Sequence, residues 1–191
     1  MDNHILSSSF RDPSGFLFYE EGKLLRQVNG CYKEDYDLLM GSGLYTRLVE
    51  KNLLIPHQEL TGHQGLNGST YKVIEPEKVG FISYPYEWSF SQLKDAAFAT
   101  LEIQKIALQY GMTLKDATAY NVQFHKGRPV FIDTLSFEIY QEGKPWQAYK
   151  QFCQHFLAPL ALMGYTDIRL NQLLKLYIDG IPLDLTSRLL P

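Results

Sequence analysis

The chain is 191 residues long, 45% hydrophobic, 14% aromatic and 20% charged. That is enough apolar material for one domain or two small lobes sharing a cleft, and it excludes global disorder. A net charge of −3 without a basic run excludes nucleic-acid binding by gross electrostatics. Two cysteines, Cys31 and Cys153, exclude a disulfide framework or a four-cysteine zinc site. No apolar run is long enough for a membrane span and no signal peptide opens the chain, so the expected location is cytoplasmic, with no membrane partner.

Residues 1–15 are polar and read as loop, with Asp12-Pro13-Ser14-Gly15 a turn. Residues 16–20 and 24–28 flank Glu21-Gly22-Lys23 and predict a β-hairpin. Residues 32–40 and 44–52 predict helices separated by Gly41-Ser42-Gly43. Residues 53–60, 71–74 and 79–84 predict strands, with a glycine-rich connector over 62–69. Ser89 and Gln92 form a capping-box pattern, and Leu93, Ala96, Ala97, Leu101, Ile106 and Tyr110 keep helical spacing up to Gly111. Trp146, Tyr149, Phe152, Cys153, Phe156 and Leu160 mark a second long helix with Pro159 as a kink, and 168–178 a third. His155 falls among these apolar positions and reads as a packed histidine. The pattern is α+β and two-lobed: a strand-rich N-lobe with one helical stretch over 1–85, and a mainly helical C-lobe over 86–191.

Residues 112–138 carry the candidate chemistry. A hairpin centred on Gly127 sets Phe124 opposite Val130 and Val122 opposite Ile132, which brings Asn121 beside Asp133 at its open end. Asp116 lies in the loop entering that hairpin. Oxygen donors in this arrangement suit magnesium, which needs only one or two protein ligands when nucleotide phosphates and water supply the rest. Phosphoryl transfer asks for that positioning, for charge neutralisation and for a carboxylate near the attacking hydroxyl.

Lys115-Asp116-x-x-x-x-Asn121 followed by Ile132-Asp133 resembles the catalytic loop and metal-binding aspartate of the protein-kinase-like fold, preceded by a hinge-like Ser83-Tyr84-Pro85-Tyr86. The resemblance implies ATP and magnesium as cofactors, Asp116 as catalytic base and Asn121 and Asp133 as metal ligands. Arg26, the best-placed cation on the second strand, then contacts phosphate with Glu34, Asp35 or Asp37 as its partner. Lys115 stands beside it, and Tyr84 and Tyr86 are placed to stack on the base. The chain departs from the kinase pattern in several places. Its first predicted hairpin offers only Gly15 and Gly22 instead of a glycine-rich loop, Leu114-Lys115 precedes the aspartate, and Thr134-Leu135 follows Asp133.

The strings Ser83-Tyr84-Pro85-Tyr86-Glu87-Trp88-Ser89-Phe90-Ser91-Gln92-Leu93-Lys94-Asp95 and Val130-Phe131-Ile132-Asp133-Thr134-Leu135-Ser136-Phe137-Glu138 resemble a nodulation-related bacterial family. In that family such a region precedes an S-adenosylmethionine-dependent methyltransferase domain. The resemblance implies an N-terminal piece of a longer protein, with S-adenosylmethionine bound only in a domain absent from this chain. Two functions are expected. One is an atypical kinase-like phosphotransferase acting on a small-molecule or saccharide hydroxyl. The other is a catalytically degenerate, pseudokinase-like module that regulates or positions an attached methyltransferase.

Overall fold

In the computed structural model the described residues are 4–5 and 12–191. They form the expected α+β fold, with an antiparallel sheet in the N-terminal lobe and a mainly helical C-terminal lobe. Strands β1 (His4–Ile5), β2 (Gly15–Glu20), β3 (Lys23–Asn29), β4 (His57–Glu59) and β5 (Thr70–Pro76) lie in the order β1-β2-β3-β5-β4. The predicted 16–28 hairpin is present. Its turn places Glu21 and Gly22 at φ of 50° and 79°, the left-handed pair that matches strand twist. A Cβ on Gly15 would lie 2.0 Å from the Gln27 carbonyl oxygen, so this first residue of β2 admits only glycine.

Three expectations change here. Strand β1 precedes the predicted first hairpin, so residues 4–5 are not loop, while the rest of 1–11 lies outside the described residues. The predicted 53–60 strand shrinks to β4, because Leu53 and Ile55 instead exchange backbone hydrogen bonds with Phe131. Residues 79–84 form no strand. β4 already occupies that edge of the sheet, and Phe81 and Ile82 stand 77% and 51% exposed. The 62–69 connector is held against the sheet: buried Gln27 accepts from the Leu66 amide and donates to Asn67.

Helices α1 (Lys33–Gly41) and α2 (Leu44–Glu50) follow β3, and the long α3 (Phe90–Gln109) opens the helical part. Ser89 and Gln92 cap α3 reciprocally, as the sequence predicts. Its buried face runs through Leu93, Ala96, Ala97, Thr100, Ile103, Gln104 and Ala107, and Leu101 is outside it, 40% exposed. Leu39, Leu44 and Leu48 from α1 and α2 join Leu93, Ile103 and Ala107 of α3 in one apolar cluster, so the two lobes share a core. Each fully buried leucine contributes about 1.5–3 kcal/mol to holding them together.

Beyond α3, β6 (Met112–Leu114) pairs with β9 (Phe137–Ile139), and β7 (Val122–His125) pairs with β8 (Arg128–Phe131). The predicted second helix is α4 (Tyr149–Phe152) and α5 (Ala158–Tyr165), joined by a π-helical turn at Cys153–Leu157. Pro159 explains that turn, because it lacks the amide that regular helix geometry would require there. The predicted third helix is a 3-10 segment, Ile168–Gln172, running into α6 (Leu173–Leu176), and α7 (Leu183–Leu189) ends the chain. Among the described residues no helix is long and apolar enough to cross a membrane.

Candidate functional site

The β7–β8 hairpin turns through Lys126 and Gly127, at φ of 51° and 78°, and pairs His125 with Arg128. This two-residue turn shifts the register by one residue from the expected one. Val122 faces Phe131, Phe124 faces Pro129, and Ile132 donates its amide to the Asn121 carbonyl. The positive φ available to glycine at the second turn position selects this tighter geometry. Asn121 and Asp133 are therefore not cross-strand partners. Both nevertheless border the same cleft, because the 3-10 turns Ala119–Asn121 and Thr134–Ser136 curl toward each other past the hairpin's open end. The Asn121 amide donates to Ser136 Oγ at 3.2 Å.

That cleft, about 640 Å³, lies between the lobes. Arg26, Lys115, Asp116, Asn121 and Asp133 line it together with Asp12, Leu17, Tyr120 and Gln147. Arg26 projects from β3 and is 7% exposed. Its partner is Asp133, at 2.6 Å, and not Glu34, Asp35 or Asp37. Two of the acidic residues of α1 are engaged elsewhere: Asp35 accepts from the Ile139 amide and Asp37 from the Tyr71 hydroxyl. Helix α1 is thus turned toward β9 and β5, and the side chain that answers Arg26 comes from the C-terminal lobe. Arg26 Nε is buried with no hydrogen-bond partner.

Lys115 reaches across the cleft to Ser14 Oγ at 2.6 Å, with its ammonium 4.6 Å from the centre of the Tyr32 ring. Its backbone is fixed by the Ser136 carbonyl. Asp116 accepts from the Thr118 amide at 3.0 Å, and burial holds its carboxyl above the usual carboxylate range. The nearby Asp133 charge pushes in the same direction, while hydrogen bonds from Thr118, Asn121 and Gln151 pull against it.

Tyr84 and Tyr86 are not among the cleft-lining residues; they stack on each other with ring centres 5.4 Å apart. Ser83 is enclosed by protein groups. Gln123 accepts from its amide and donates to its carbonyl, both at 3.0 Å, while Trp88 donates to its hydroxyl. His57 and His63 have separate partners. His57 meets Tyr36 and His63 meets Glu20.

Several supporting residues carried no signal in the sequence. Gln104 of α3 accepts from the Leu114 amide and bonds Thr113, which fixes the strand leading to Lys115. Gln151 accepts from the Ala117 amide at 2.6 Å, and Asp12 and Ser14 approach Lys115. Glutamines on helix faces look like solvated polar positions until the strand they serve is in place. The turn at Asp12-Pro13-Ser14-Gly15 was the one available hint.

No protein-family model matches the chain. Solved structures that resemble it do so loosely. Vaccinia related kinase 3 matches with a TM-score of 0.46 and 12% identity, over 75% of this chain and 54% of its own. WbdD matches with a TM-score of 0.47 and 11% identity, over 95% of this chain and 47% of its own. Among curated proteins, the chain is 38% identical over 179 residues to nodulation protein NoeA of Rhizobium meliloti (strain 1021). That match takes in 93% of this chain but spans only 37% of the length of its relative.

Proposed function

We propose that this chain is a kinase-like domain, residues 1–85 and 86–191 forming its two lobes, that binds magnesium-ATP in the inter-lobe cleft. The observation that supports this most is the convergence there of two cations, Arg26 and Lys115, with Asp116, Asn121 and Asp133. The donor set fits the ion. Magnesium takes hard oxygen ligands and keeps its waters, so two protein ligands beside nucleotide phosphates would suffice. Asn121 and Asp133 would hold the metal, which when bound neutralises phosphate charge. Arg26 lines the cleft, and together with Lys115 it would grip the phosphates. Asp116 would orient and deprotonate an acceptor hydroxyl of a small molecule or saccharide, with Tyr120 and Gln147 beside it.

Two observations favour the second reading, a catalytically degenerate module serving an attached S-adenosylmethionine-dependent methyltransferase. Arg26 occupies Asp133 at 2.6 Å, and Ser83 has both backbone polar groups satisfied by Gln123. A relative that extends far beyond the matched stretch supports placing this region in a longer protein.

Titration calorimetry with ATP, with and without magnesium, tests the first reading. Asp133→Asn is expected to weaken magnesium-dependent binding about tenfold or more, whereas Asp116→Asn keeps binding and loses phosphate transfer. Equal loss of binding in both variants refutes these separate roles. No binding at millimolar nucleotide leaves the degenerate module.

A further inference from the structure

A second cavity, about 380 Å³, opens at the turn end of the β7–β8 hairpin. Its walls come from three places: Val49 at the end of α2 with Asn52, Leu54, Ile55 and Pro56 between α2 and β4, Glu77 just after β5, and the hairpin itself. The hairpin contributes His125, Lys126 and Arg128. The cavity therefore straddles the lobes at the point where the chain crosses between them, and its residues are separate from those of the inter-lobe cleft.

Its charges are unevenly matched. The Glu77 carboxylate is already held twice, by Lys126 at 2.9 Å and by His125 at 3.0 Å. Those two bonds lower its proton affinity, so the carboxylate stays ionised. Arg128 has no acidic partner among the described residues, and neither does Lys78 in the adjoining groove, which shares Pro56 and Glu77 with this cavity. A guanidinium is a planar fork that matches a carboxylate or phosphate bidentately, and here it lines the same cavity as the apolar Leu54, Ile55 and Val130.

We propose that this cavity is a binding site for a small anion, a carboxylate or phosphate carried on a short apolar body, with Arg128 as its main anchor. The apolar lining faces the body, and Lys126 supplies a second positive charge while remaining on Glu77. Glu77, which starts the connection between lobes, is already tied to the hairpin through His125 and Lys126. The site does not depend on nucleotide binding in the inter-lobe cleft.

The test is a titration of the isotopically labelled 191-residue chain, followed by its amide resonances, with butyrate, with inorganic phosphate and with neutral butanol. The expected result is saturable movement at Asn52, Glu77, Lys126 and Arg128 with one or both anions and none with butanol; the tighter probe identifies the headgroup. Arg128→Ala should weaken that binding about fivefold, and Arg128→Lys less, since it keeps the charge and loses the fork. Movement that never saturates, equal affinity in Arg128→Ala, or a response confined to Arg26 and Lys115 overturns the proposal. Both variants change a side chain at an exposed turn, so retained amide dispersion verifies that each is folded.

Discussion

The two ends of the β7–β8 hairpin carry ion pairs of similar length in very different surroundings. Past the open end, Arg26 and Asp133 meet at 2.6 Å with side chains 9% and 18% exposed. At the turn, Lys126 and Glu77 meet at 2.9 Å with side chains 75% and 39% exposed. Distance alone would rank them nearly equal. Burial separates them, because water screens the turn pair and leaves its members free to exchange partners, whereas the cleft pair has given up its hydration and depends on itself. The cleft is thus an arrangement of charges set in advance, and the turn is a solvated surface with one cation to spare.

The largest expected effect breaks the cleft pair. Arg26→Ala leaves Asp133 charged and mostly buried, and should lower unfolding free energy by about 3 kcal/mol. Adding Asp133→Asn to that variant should restore part of the loss, a coupling read by a denaturant double-mutant cycle. Additive losses would mean that the pair is no more than neighbouring charges.

Next in size is an acid transition from a histidine buried on the other side of Tyr120. His155 is 2% exposed, its Nδ1 has no partner, and burial lowers its proton affinity to a pKa of about 4. The unfolded chain takes up that proton near pH 6.5, before the folded protein does. Stability is therefore complete above about pH 6.5 and falls as pH drops toward 4, by up to about 3 kcal/mol for this group. His57, also lowered to about 4 by burial, acts in the same direction. Chemical denaturation at pH 7 and pH 4.5 should show a smaller loss in His155→Phe than in the parent. The smallest effect belongs to the turn: Lys126→Ala should change stability by no more than about 0.5 kcal/mol, and any contribution should fade with added salt.

Much of the fold was legible from local chemistry. Glu21-Gly22 announced a hairpin, Ser89 and Gln92 announced the start of α3, and Pro159 announced an irregular helix, because each acts over a few residues of chain. The candidate site was legible as a set of residues. Asp116, Asn121, Asp133, Arg26 and Lys115 all line the cleft, although Tyr84 and Tyr86 do not. Their pairing was not legible. A one-residue difference in turn length moved Asn121 from Asp133 to Ile132, and the partner of Arg26 proved to be distant in sequence.

By itself, then, the sequence determined the α+β pattern, the capped helix and the group of oxygen-bearing and cationic side chains around residues 115–133. Tertiary structure alone decided which charge met which, that Gln104, Gln123 and Gln151 would serve as fixtures for backbone, and that residues 79–84 would cross between lobes without joining a sheet. The physical reason is range. Caps and turns are settled by hydrogen bonds between near neighbours in the chain, whereas an ion pair or a buried carboxamide is worth making only once packing has removed the water that would otherwise replace it.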